Sequence, residues 1–365
     1  MKKILFVILG LDFSGAENVL IQYLDGNNEI DPYFAFIYNG AASIEFAKKF
    51  GASKVRELAL PYNKNELRIL PCLVQRKVET AMQRIINEVM PDVIYFNNTH
   101  EVILSRALLK KIKIPSIGHV HDMMYSIGSL AKRFEARRAY RELNEVLTVS
   151  EACKKSWKCE KMKVVYNGVP DTFFDDGHND EKRYKKLTIG YVGMLSDRKG
   201  FDILADIIES DCLPVNWKVA YNLIDSKYEG LLNKVKARDN VEVFYKIPSS
   251  EMKMFYDSID VLVIPSRQDP LPTVAIEAMA RNKLVIGFRI GGIPELIGDN
   301  RLIIDDINAD ALRNKIQDVL ETSADTRKEL ADSIHERSIA MFSQKNKRDV
   351  VNELINEVGT KNVVR

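Results

Sequence analysis

A chain of 365 residues, 46% hydrophobic and 28% charged, has material for two cores on the usual allowance of ~150 residues per domain. That composition excludes disorder on a large scale, and a net charge of only +2 argues against a protein built to bind nucleic acid. The charge is uneven: residues up to Tyr166 carry 25 Lys+Arg against 18 Asp+Glu, so the front half is basic and the back half acidic.

Lys2-Lys3 followed by the apolar run Ile4 to Leu11 imitates the start of a signal peptide. The run is short, Asp12 ends it, and no small-residue cleavage site follows, so it reads as a buried first strand. No stretch approaches the ~20 apolar residues of a spanning helix, and a cytoplasmic location is expected. The four cysteines (Cys72, Cys153, Cys159, Cys212) have no metal-site spacing and read as reduced thiols.

Short apolar runs then alternate with helix-like stretches. The front half offers strands at Ile4–Leu9, Tyr33–Tyr38, Val55–Leu60, Asp92–Phe96, Ser116–Val120, Val146–Val149 and Val164–Tyr166, with helices at Glu66–Val89, Glu101–Lys111 and Leu130–Leu143. The rhythm breaks over the polar segment Pro170 to Lys186, a linker by composition. It resumes with strands at Leu187–Val192, Trp217–Ala220, Val241–Tyr245, Val261–Ile264 and Leu284–Phe288. Near-continuous apolar strands separated by helices indicate parallel sheets covered on both faces, two of them in tandem. Ligands in such sheets bind beyond the carboxyl ends of the strands, and two such units facing each other make a cleft. The helix-like tail from Asp325 to Val358 either caps the second unit or crosses back to the first.

Chemistry-bearing residues fall at those strand ends. After the first strand, Gly10 to Asn18 includes Ser14 and Gly15, small residues that let amides approach an anion, although a plain tight turn accounts for them equally. His119-Val120-His121-Asp122 ends another strand. The two histidines share a face by alternation, and His121 suits a sugar or phosphate contact better than a metal, for which no third ligand is evident. Gly193 to Gly200 places Arg198 and Lys199 just before a helix N-terminus, which together make an anion site. Pro265 to Met279 runs from strand to helix through a proline-rich loop. Asp269 sits in the loop and Glu277 about one turn into the helix, with the main chain of Leu271 and Thr273 between them. Gly291-Gly292-Ile293-Pro294-Glu295 is a further strand-to-helix turn.

Taken together, these segments resemble the retaining glycosyltransferases of family 4. Phe13 to Asn18 is similar to the family's GGAE-type loop, His121-Asp122 to its strand-end HD, and Tyr166 to Val169 to its NGV segment. Gly193 to Gly200 is similar to the GRLxxxKG loop, Asp269 to Glu277 has the EX7E spacing, and Gly291 to Glu295 reads GGxPE. Met194 stands where the family has Arg, and Asp269 where it has Glu.

The resemblance implies a GT-B fold: two Rossmann-like domains facing across a cleft, the first over residues 1–168, a linker at 169–186, the second over 187–342, and a tail helix near 343–358 crossing back. It also implies a hexosyl transfer from a UDP- or GDP-linked donor to a glycan or lipid-linked acceptor, in cell-envelope or extracellular polysaccharide synthesis, with no cofactor or metal. Lys199 and Arg198 would hold the leaving diphosphate, Asp269 the sugar, and Glu277 the ribose. Gly15 and His121 would serve the acceptor side, His121 as a catalytic residue, with Ser14, Asp122, Leu271 and Thr273 as further substrate contacts. An epimerase on the same frame and a non-catalytic nucleotide-sugar sensor remain as alternatives; a nicotinamide dehydrogenase is disfavoured because neither half carries GxGxxG. The basic helix from Lys132 to Arg141 is either a solvated face or a contact for anionic membrane lipids.

Overall fold

A computed structural model of the chain describes residues 1–11, 15–61, 71–174, 186–210 and 212–360. Ser14, the front of the helix expected from Glu66, and most of the expected linker lie outside the described residues. The contacts divide the chain into two units, Met1–Asn167 with Gln344–Arg365, and Gly168–Ser343.

The first unit holds a seven-stranded sheet of β1 (Lys2–Ile8), β2 (Ile30–Phe36), β3 (Val55–Glu57), β4 (Val93–Phe96), β5 (Ser116–Val120), β6 (Glu145–Thr148) and β7 (Met162–Val164), in the order β3-β2-β1-β4-β5-β6-β7. Each described strand pair is parallel. Alternation sends Ile4, Phe6, Tyr95 and Ile117 to one face and Leu5, Val7, Ile94 and Val120 to the other. Both faces are covered, so the strands are apolar throughout, as a parallel sheet demands. One face meets the helices Gly15–Leu24, Ala41–Phe50 and Gln344–Thr360; the other meets Pro71–Val89, Leu130–Glu142 and Glu151–Trp157.

Several boundaries differ from the sequence expectation for identifiable reasons. β2 begins at Ile30 and includes Pro32, which is tolerated because β3 pairs only from Phe34 onward. Extension stops after Glu57 near Ala59, whose positive φ of 53° leaves the β region. β7 lies two residues earlier than expected. The helix expected over Glu101–Lys111 is two pieces, Thr99–Leu104 and Arg106–Leu109, separated by Ser105.

The second unit holds β8 (Thr188–Val192), β9 (Asn216–Tyr221), β10 (Val241–Tyr245), β11 (Val261–Ile264), β12 (Leu284–Phe288) and β13 (Ile303–Ile304), in the order β10-β9-β8-β11-β12-β13 and again parallel. The expected single tail helix is two, Ala324–Phe342 in this unit and Gln344–Thr360 in the first. Ser343 between them is extended and bridges to Val169.

Candidate active site

The second unit gathers two loops at the carboxyl ends of its central neighbours, β8 and β11. Lys199 Nζ donates to Asp269 Oδ2 at 2.6 Å, and the side chains are 18% and 5% exposed. Ser266 Oγ reaches the same oxygen at 3.4 Å. The loops are also laced through main chain: Arg267 N donates to the Arg198 carbonyl at 2.9 Å, and the Arg267 guanidinium clamps Asp202 with two bonds of 2.7 and 2.6 Å. Arg198 itself is exposed, its guanidinium 3.5 Å from the Gln268 carbonyl. Met194, at the position of the family's Arg, contributes its carbonyl to the Tyr191 hydroxyl at 2.9 Å.

Glycines make this lacing feasible. Gly200 has φ +69°, and a Cβ there would lie 1.9 Å from the Pro265 carbonyl oxygen. Gly291, at φ +51°, would put a Cβ 1.8 Å from the Asp269 carbonyl oxygen, and Gly292 would put one 2.1 Å from that of Pro270. The Gly291-Gly292 turn therefore backs directly onto the loop that carries Asp269, and Gly292 N donates to the Asp269 carbonyl at 3.1 Å.

The helix Thr273–Ala280 follows that loop with Pro272 at its N-cap and no side chain capping its first turn. Leu271 buries its side chain, so its part in a site is through main chain. Glu277 makes its hydrogen bond away from the Lys199–Asp269 pair, accepting from the Tyr256 hydroxyl at 2.6 Å. Part of its surface stays open, yet the protein around it removes enough water to raise its carboxyl to about 7, a rise the Tyr256 bond opposes.

In the first unit, the ends of β1, β4 and β5 converge by register. Gly15 opens the helix Gly15–Leu24 and has nothing within 4 Å of a would-be Cβ, so a ligand has room there. Asp122 is half-buried, its carbonyl held by Trp157 Nε1 at 2.8 Å and Cys153 Sγ at 3.2 Å. The His119 and His121 rings lie 4.2 Å apart. Burial, and then Lys347, pull His121 down to about 3, which leaves a neutral imidazole.

Sequence reasoning missed three groups here and in the second unit. Glu101 is buried, accepts from Leu9 N at 2.8 Å, and is raised to about 8 by burial, with Glu17 and Asp122 adding to the rise. Lys347 is 6% exposed and pulled down to about 7 by desolvation. Tyr256 is the partner of Glu277. No local motif marks any of them; each acquires its role from a neighbour distant in sequence. Among the described residues no cluster of His, Cys, Asp and Glu is arranged to hold a metal, and no helix is long and apolar enough to cross a membrane.

Comparison with known proteins bears on the whole frame. The family described as Glycosyltransferase Family 4 matches residues 48–173, and that described as Glycosyl transferases group 1 matches residues 174–337. A glycosyltransferase of Methanocaldococcus jannaschii is 29% identical over 242 residues, which are 62% of this chain and 64% of that relative. A 41.2 kDa protein in the cps region of Klebsiella pneumoniae is 24% identical across 78% of this chain and 81% of its own. Among solved structures, Anabaena HepE in complex with UDP and glucose superposes with a TM-score of 0.77 at 17% identity, covering 98% of this chain and 100% of that one. Sucrose-phosphate synthase from Thermosynechococcus elongatus gives the same TM-score and identity over 99% and 100%. Two parallel sheets in this order, with consecutive family matches over residues 48–337, place the chain among the glycosyltransferases of the GT-B fold, in the group 1 and family 4 lineage.

Proposed function

We propose that the protein transfers a hexosyl unit, with retention of configuration and without a metal, from a UDP- or GDP-linked donor to a glycan or lipid-linked acceptor. The observation that carries this reading is the Lys199–Asp269 pair, a cation and a carboxylate 2.6 Å apart where two strand-end loops meet. The donor lies on the second unit. Its diphosphate takes up Lys199, with Arg198 nearby and the uncapped amides at Thr273 beneath. Asp269, released in part from Lys199, accepts from sugar hydroxyls, and Glu277 accepts from the ribose. As the C1–O bond breaks, charge grows on the leaving diphosphate, and preorganised cations and amides act most strongly then. The first unit supplies the acceptor side through Gly15, Ser14, Asp122 and His121. A neutral His121 can hydrogen-bond a hydroxyl but is no proton donor near pH 7.

The relatives support a polysaccharide setting. One is named for a cps region and another as spore coat protein SA of Bacillus subtilis, so we assign the reaction to cell-envelope or extracellular polysaccharide synthesis. Peripheral contact with an anionic membrane fits the helix Leu130–Glu142. Arg133 and Arg137 are spent on main-chain carbonyls, whereas Lys132, Arg138 and Arg141 are exposed beside Leu130 and Phe134, which are 78% and 61% exposed. Sedimentation with anionic vesicles at low salt tests that contact, and no binding ends it.

The main test is thermal-shift screening against a panel of nucleotide sugars, followed by transfer assays with and without EDTA. The correct donor raises the midpoint by mass action. Absence of stabilisation by every UDP- and GDP-sugar, or loss of transfer with EDTA, overturns the reading. A free epimerised sugar in place of a glycosylated acceptor points to the epimerase.

A further inference from the structure

Buried polar side chains are nearly always hydrogen-bonded, so a group of them left without partners marks a place where something else binds. The face of the first sheet covered by Gln344–Thr360 holds such a group. His119 is 2% exposed and its Nε2 has no partner; His121 Nε2 is likewise buried and unpartnered. Gln344 is 4% exposed with both amide atoms unpartnered, and one turn further along the same helix is Lys347. Asn97, 1% exposed with Nδ2 unpartnered, follows Phe96, whose register partner is Gly118, and so stands beside His119 on the neighbouring strand.

Charge decides what fits. A buried ammonium ordinarily has a carboxylate beside it. Among the described residues none pairs with Lys347, and its only influence is desolvation. The Tyr95 hydroxyl lies 2.7 Å from His119 Nδ1. In the tautomer where Tyr95 donates, the imidazole proton sits on Nε2, the unpartnered atom. Lys347, the Asn97 amide nitrogen, the Gln344 amide nitrogen and His119 Nε2 then supply donors, with His121 Nε2 beside them and Gln344 Oε1 the one acceptor left over in this group. The half-buried His121 is the way in from solvent.

We propose that His119, His121, Lys347, Gln344 and Asn97 form a binding site for an oxyanion, a phosphate or a carboxylate carried by the acceptor. Naming the acceptor as its source rests on the reading of the first unit above; the site itself does not. A bound anion compensates an ammonium that burial otherwise leaves without a partner, a state that destabilises the fold and pulls the group toward its neutral form.

The test uses the whole chain, with its five histidines labelled with nitrogen-15 and their ring signals followed by NMR during separate titrations with inorganic phosphate and glucuronate at constant ionic strength. Saturable shifts of His119 and His121, with a rise in melting temperature, are expected for at least one of the two; the one that acts identifies the acceptor group. Lys347→Met should weaken that binding by about tenfold or more, the worth of a charge-assisted hydrogen bond. Lys199→Ala, which damages the donor site, should leave it intact. No shift with either anion, or a response kept in Lys347→Met and lost in Lys199→Ala, overturns the site. The second pattern would leave the donor assignment standing, so the two readings fail separately. Should Lys347→Met not fold, Lys347→Gln and the wild-type titration decide.

Discussion

The two units treat their polar strand-end residues in opposite ways. In the second, Lys199 and Asp269 satisfy each other at 2.6 Å, and Arg267 is locked on Asp202. In the first, His119, His121, Gln344 and Asn97 present polar atoms that meet nothing, next to an unpaired Lys347. A self-satisfied site must exchange partners when its ligand arrives, so its geometry is fixed beforehand and some of its binding strength is spent on the exchange. An unsatisfied site gains the whole of each new hydrogen bond but lowers the stability of the empty protein.

The sharpest way to break this comparison is Lys199→Ala. Losing a cation that stabilises the leaving group should lower turnover by about 10²–10³-fold, with circular dichroism unchanged. A transfer rate near wild type removes Lys199 from the mechanism.

Next in size is Gly291→Ala. Its Cβ would meet the Asp269 carbonyl at 1.8 Å and its φ is positive, so the loop must move. A loss of about 1–3 kcal/mol in urea unfolding is expected, together with weaker donor binding. An unchanged unfolding midpoint would mean the two turns do not press on each other.

Stability against pH separates Glu101 from Lys347. Glu101 is raised from 4.5 to about 8, so the folded chain holds a proton the unfolded chain releases. Its contribution is complete below pH 4.5 and lost as pH rises through about 8. Lys347 is lowered from 10.5 to about 7, so its contribution is present above 10.5 and lost as pH falls through about 7. Between pH 7 and 8 the two oppose each other. Glu101→Gln should make stability rise with pH there, and Lys347→Met should make it fall, each by up to about 1.4 kcal/mol per pH unit. Melting curves that stay parallel to wild type in both variants contradict the burial of these groups.

The smallest stability effect belongs to Gly15→Ala, expected within about 0.5 kcal/mol because open space surrounds the new methyl. Transfer should nonetheless slow if a ligand approaches that backbone closely. Equal rates in the two proteins would return the loop to a plain turn.

Much of the frame was legible in sequence because parallel strands are apolar from end to end and their loops carry Gly, Pro and charges. The runs at Ile4, Ser116, Leu187 and Val261 each became a strand, and Lys199 and Asp269 fell in loops that the fold joins. Boundaries depended on tertiary detail: Ser105 splits a helix, Ser343 splits another, and Ala59 ends β3. The polar residues of the first unit were readable only in part. His119 lies on β5 and His121 one residue past its end, whereas Lys347 lies 226 positions beyond His121. Periodicity reports which way a side chain points along its own element, not which distant element arrives opposite.

That late arrival has a consequence during synthesis. The helix Gln344–Thr360 buries Val351, Leu354, Ile355 and Val358 on a sheet whose last strand ends at Val164. A growing chain must therefore extrude the whole of the second unit while one flank of the first still lies bare to the cytosol or to chaperones. The ribosome thus extrudes an amino-terminal half that cannot mature until the second unit has followed it out.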